Sequence, residues 1–133
     1  MTTIYTDIYN KNIPGEIVYD DKEVFAIMSI EPHNPGHVLV IPHAEIANWE
    51  DMPEPLWAHT TKVAQDIAKV LKKLYGAPKI ALSLVGFEIP HVHVHVFPIY
   101  KITDTDLSSA NKTTLESLKP EADKIRSALT DRI

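Results

Sequence analysis

A chain of 133 residues, 44% hydrophobic and 23% charged, has the size and balance of a single globular domain that buries its own core. Its net charge of −5 excludes a broad basic footprint for nucleic acid, and its longest apolar stretches are far shorter than a membrane span. With no cysteine there are no disulfides or thiolate metal sites, and no basic-then-apolar leader opens the chain, so a cytoplasmic setting is expected.

Ile4, Tyr5, Ile8 and Ile13 predict a short helix or turn, closed by Pro14-Gly15. Residues 16–19 and 23–30 are rich in β-formers and are joined by Asp20-Asp21-Lys22, as in an antiparallel hairpin. The turn-forming segment 31–36 follows, then a strand over 37–41 that Pro42 should stop. Pro53 and Pro55 suit the first turn of a helix, and Gly76 suits the cap behind its last residue. Between them Trp57, Thr60, Val63, Ala64, Ile67, Val70, Leu71 and Leu74 form one stripe at helical spacing. Strands are predicted over 79–85 and 91–100, with a short connection at 86–90. A terminal helix over 113–133 is expected, interrupted at Pro120. The fold class is therefore α+β: about five mostly antiparallel strands, one long helix (53–75) laid across them, and a C-terminal helix.

The segment Pro90-His-Val-His-Val-His-Val-Phe-Pro98 carries the chemistry. In an extended strand His91, His93 and His95 share one face, while Val92, Val94 and Val96 share the other. Successive histidines then stand roughly 6.5–7 Å apart, twice the strand rise. Residue types alone leave two chemistries open. Imidazoles so arrayed suit a catalytic metal, and they equally suit covalent catalysis by a neutral imidazole.

His91-Val-His-Val-His-Val-Phe97 resembles the His-φ-His-φ-His-φ-φ pattern (φ apolar) of the histidine triad (HIT) family. Pro35-Gly-His-Val-Leu-Val-Ile-Pro42 is similar to that family's Pro-Gly-His block, and the run 13–26 is similar to its first hairpin. The resemblance covers residues 3–100 and implies a single HIT-like domain over 1–133, with a helical extension at 105–133. It implies a nucleotide hydrolase or transferase that needs no metal in the triad and no cofactor. His93 would attack the α-phosphorus of a nucleoside phosphoramidate or dinucleoside polyphosphate, forming a nucleotidyl-histidine that water cleaves. His95 would contact the phosphate, His91 would fix the tautomer of the nucleophile, and His37 would support the site. Ile4, Tyr5, Ile8 and Ile27 would surround a purine base, although each also suits ordinary core. The implied assembly is a homodimer, with the long helix and an edge strand at its interface.

Departures from the family pattern are informative. Ser29 stands where an Asp or Asn usually holds the ribose hydroxyls, and it offers only one hydroxyl. The stretch 82–90 is shorter than the family's loop, with Phe87 replacing a Gln that often touches phosphate. Glu88 occupies the leaving-group side, where it would protonate or orient a basic leaving group, or else be a solvent-facing turn carboxylate. Thr3 and Thr6 replace the zinc-binding cysteines of some members, so no structural zinc is expected. His33, His43 and His59 match no motif position and read as surface residues, and Asn34 reads as a turn former. An altered loop also admits a nucleotide-binding regulatory protein with vestigial catalysis, and a metal-dependent hydrolase is the third reading.

Overall fold

The computed structural model describes residues 2–132. Five strands form one antiparallel sheet: β1 (Ile17–Asp20), β2 (Val24–Met28), β3 (Val38–Pro42), β4 (Lys79–Ser83) and β5 (Val94–Ile99). Their spatial order is β1-β2-β3-β5-β4. The helices are α1 (Ile4–Tyr9), α2 (Glu54–Tyr75) and α3 (Leu115–Arg132). These elements are the α+β arrangement expected from the hydrophobic patterning.

Alternation along the strands divides the sheet into two faces. Val24, Ala26, Met28, Val38, Val40, Val94 and Val96 point to one side, where Val63, Ala64, Ile67, Val70 and Leu71 of α2 cover them. Leu118, Ala122, Ile125 and Leu129 of α3 complete that core. Each large apolar side chain removed from water here stabilises the fold by about 1.5–3 kcal/mol. Phe25, Ile27, Leu39 and Ile41 point to the opposite side and pack with Tyr5 of α1. The outer face is thus partly roofed by a helix of one and a half turns, and it carries the odd-numbered residues His37 and His95.

The long helix starts and stops for local reasons. Pro53 is its N-cap and Pro55 lies in its first turn, where missing N–H groups cost nothing. Gly76 adopts φ +61° and returns its N–H to the Lys72 carbonyl, a left-handed cap. Gly36, at φ +90°, presses against the end of this helix: a Cβ there would meet Tyr75 Cε2 at 2.7 Å.

The strands expected over 23–30 and 79–85 are shorter, ending at Met28 and Ser83, and three further departures from the reading of the sequence have local causes. Pro42 closes β3 from within, opposite Val24 of β2. The ladder from β3 to β5 ends at Val40 opposite Val94, so no strand on that side needs the missing proline N–H. The last histidine-bearing strand begins at Val94 rather than at residue 91. Val92 donates its N–H to the Ile46 carbonyl (2.8 Å), which draws residues 91–93 away from β3. Finally, α3 runs through Pro120 without interruption. The residue is exposed and lies in the second turn, so the helix loses one backbone bond while Leu118 and Ala122 beside it are buried against the core.

Candidate active site

The parity that sorts the valines inward places His37 and His95 together on the outer face. His93 lies beside His95, with ring centroids 5.2 Å apart, and Tyr5 lies over His93 at 4.9 Å and over His91 at 5.7 Å. His91 and His37 are almost wholly buried, at 0% and 1% exposure, and His93 is buried at 8%. Four imidazoles therefore crowd a weakly hydrated surface, and at His37, His95 and His91 burial disfavours the protonated form. Burial, reinforced by His95 and His33, pushes His37 down to about 3. Burial, reinforced by His93 and His33, pushes His95 down to about 4. His91 is also lowered, chiefly by burial and against the opposing pull of the Pro42 carbonyl and Glu45.

Neutral imidazoles have one donor and one acceptor nitrogen, so their partners dictate the tautomers. The main-chain N–H of His33 donates to His37 Nδ1 at 3.0 Å. The proton of His37 must then sit on Nε2, which donates to His95 Nδ1 at 2.9 Å. His95 in turn keeps its proton on Nε2, the nitrogen facing away from His37. At His93, Nδ1 lies 2.8 Å from the His91 carbonyl and must carry the proton. In the neutral ring its Nε2 is then an unprotonated lone pair that no described residue bonds. Every deeply buried side-chain polar atom among the described residues has a partner, so this nitrogen reaches the surface. His91 donates from Nε2 to the Pro42 carbonyl (2.6 Å) and accepts the Thr3 hydroxyl proton at Nδ1 (2.6 Å). The arrangement thus presents a bare nitrogen on His93 beside an N–H on His95, an electron-pair donor next to a hydrogen-bond donor.

The remaining predicted residues fall into place unevenly. Tyr5 and Ile27 are buried on the outer face with Ile8 packed against them. Ile4 departs from the group, being 42% exposed. Ser29 is buried and its Oγ accepts the Glu31 N–H (3.2 Å). Glu88 is exposed, yet near enough to the Tyr5 phenol to help raise it to about 12, after burial itself. Phe87 projects into solvent at 95% exposure.

Reading His33, His43 and His59 as plain surface residues is corrected by their packing, since all three are half-buried. His33 stacks on Phe97 at 4.7 Å and on His37 at 5.4 Å, and its Nδ1 meets Ser109 Oγ at 2.7 Å. His43 and His59 each meet the Asp20-Asp21 turn, His43 Nε2 at 3.2 Å from Asp20 and His59 Nε2 at 2.7 Å from Asp21. Asn34 does more than form a turn, since its side chain ties that turn to β5 by donating to the Pro98 carbonyl at 3.0 Å. Glu45 belongs to no motif of the sequence, and Phe97 enters only as the last apolar position of the histidine block. Phe97 had a visible signal, since it shares the parity of His93 and His95, whereas nothing near Glu45 in the chain announces its contact with α1.

A relative from Methanocaldococcus jannaschii, described as an uncharacterized HIT-like protein, is 34% identical over 102 residues, covering 74% of this chain and 79% of its own. The bis(5'-adenosyl)-triphosphatase of Saccharomyces cerevisiae is 30% identical over 98 residues, 69% of this chain but 48% of that enzyme. Among solved structures, a Bartonella henselae Hit-like protein superimposes with a TM-score of 0.84 at 30% identity, with 96% of each chain covered. The model of the HIT domain matches residues 10–102, which hold both histidine blocks and all five strands, and the chain belongs to the HIT family.

Proposed function

We propose that this chain is a histidine-triad nucleotide hydrolase or transferase acting on a nucleoside phosphoramidate or a dinucleoside polyphosphate. The observation that carries the reading is the bond from His93 Nδ1 to the His91 carbonyl, which leaves Nε2 as a free lone pair at the surface. In the first step Nε2 forms a bond to the α-phosphorus as the bond to the leaving amine or phosphate breaks. The departing group takes a proton from solvent, and the nucleotide remains on His93, whose Nδ1 keeps its own proton. Water then attacks the same phosphorus and releases a proton to solvent, and the N–P electron pair returns to Nε2. The Nε2 proton of His95 stabilises the phosphoryl oxygen during both steps. Tyr5, Ile8 and Ile27 offer an apolar bed for a purine, Ile4 its rim, and Ser29 a hydroxyl for the ribose. Glu88, exposed beside Tyr5, orients a basic leaving group.

The reading treats residues 1–133 as one domain with a helical extension from 105, in a cytoplasmic setting suited to a chain without cysteine. It includes a homodimer along the open edge of β4, where Leu82 is 56% exposed. No described helix is long and apolar enough to cross a membrane.

Incubation with a panel of adenylated and guanylated phosphoramidates and dinucleoside polyphosphates, followed by intact mass, tests the chemistry. An acid-sensitive adduct of one nucleotide is expected on the wild type and absent from His93→Ala. Turnover surviving His93→Ala refutes the nucleophile. Tight binding by the wild type without adduct or turnover makes the protein a nucleotide-binding regulator instead. Loss of turnover with a chelator points to a metal-dependent hydrolase.

A further inference from the structure

We propose that Glu45, acting through Thr3, is a positioning residue that holds α1 and His91 in register with the nucleophile. The inference rests on His93 being the reacting residue. One oxygen of Glu45, Oε2, accepts the Thr3 main-chain N–H and the Thr6 hydroxyl, each at 2.7 Å. The Thr3 hydroxyl accepts the Thr6 N–H at 3.4 Å as the N-cap of α1, and donates to His91 Nδ1 at 2.6 Å. A six-residue helix is far too short to persist unaided, so its place is set by its anchors. This anchor ties its first turn to a residue 39 to 42 positions away on one side and to the triad on the other.

Two routes lead from the clamp to His93. Tyr5 belongs to the clamped turn and packs on the rings of both His93 and His91. The Pro42 carbonyl, which can only accept, sets the His91 proton on Nε2, and the Thr3 hydroxyl holds the ring in that bond by donating to Nδ1. With its ring held at both nitrogens, His91 presents its own carbonyl to His93 Nδ1, the contact that bares Nε2. Glu45 itself is exposed, and exposed polar contacts contribute little to global stability. Its removal should therefore loosen the site without unfolding the chain.

The test compares Glu45→Leu, Glu45→Gln, Thr3→Val and Thr3→Ser. Long-range proton–nitrogen NMR of the ligand-free imidazoles reads the tautomers directly, and steady-state kinetics on an adduct-forming nucleotide reads kcat and KM. Glu45→Leu and Thr3→Val are expected to shift and broaden the His91 and His93 nitrogen signals as the two rings lose their fixed positions, and to lower kcat by about tenfold to a hundredfold, with KM nearly unchanged. Gln and Ser retain the accepting oxygen and the hydroxyl, so they should restore most of the rate, and thermal midpoints should stay near that of the wild type. Wild-type imidazole spectra in all four variants overturn the proposal. A fall in kcat that merely follows a falling thermal midpoint, with no rescue by Gln or Ser, overturns it as well. A wild type that forms no adduct refutes the nucleotide reading instead, while the ligand-free spectra still judge the clamp.

Discussion

The chain of tautomers makes a quantitative demand on His37. Its side chain is buried at 1% exposure between Phe97 (4.6 Å) and His33, and both its nitrogens are used. Leucine at this position keeps similar bulk but removes the acceptor for the His33 N–H and the donor to His95 Nδ1. Each polar group left unpaired in a buried site costs about 1–3 kcal/mol, so the expected loss is about 3 kcal/mol, with the new apolar contacts offsetting part of the upper range. At about 2.1 cal/mol/K per residue, 133 residues give an unfolding entropy of about 0.28 kcal/mol/K, so that loss lowers Tm by about 10 °C. Thermal unfolding of His37→Leu measures it, with urea denaturation as a second route to the same free energy. The chemical consequence is separate. Without a donor at Nδ1, His95 is free to carry its proton on either nitrogen, and the nitrogen NMR spectrum should show both forms where the wild type shows one. A Tm within 2–3 °C of the wild type, together with a single Nε2-protonated His95, would refute the relay.

Acid should unfold the protein through the same imidazoles. His37, His95 and His91 all titrate below the ordinary histidine value of about 6.5, so below that pH the unfolded chain binds protons that the folded chain refuses. Their stabilisation is fully present above pH 6.5 and is lost as pH falls toward 3, with a slope of about 2.7 kcal/mol per unit near pH 5 from His37 and His95 and a further contribution of the same sign from His91. Urea denaturation across pH 7.5 to 5 checks this, and a flat profile contradicts it. Gly36→Ala should cost about 2–4 kcal/mol, since φ +90° strains any side chain and the new Cβ would sit 2.7 Å from Tyr75 Cε2. A loss below about 1 kcal/mol in urea denaturation would show that α2 yields easily there.

The two faces of the sheet were legible because a strand reports its own orientation: valine and histidine alternate over 91–96, and valine alternates with leucine and isoleucine over 38–41. That parity alone puts His37 and His95 on the side away from α2. What periodicity does not report is who bonds whom across long separations. Thr3 meets His91 over 88 positions, and His33 meets Ser109 over 76, in each case through residues with no pattern around them. The prolines mislead for a related reason. Pro42 and Pro120 are chain breakers by local rule, but the tolerance of each depends on a neighbour, on where β5 starts beside Pro42 and on how firmly Leu118 and Ala122 seat α3 beside Pro120. The same displacement of β5 that spares Pro42 also leaves its carbonyl available to His91. One backbone departure from a regular sheet therefore accommodates a proline, orients an imidazole and, through the carbonyl of that same histidine, exposes the nitrogen lone pair of His93. The histidine pattern marks out the four imidazoles; the irregular backbone at 91–93 decides which ring turns a bare nitrogen outward.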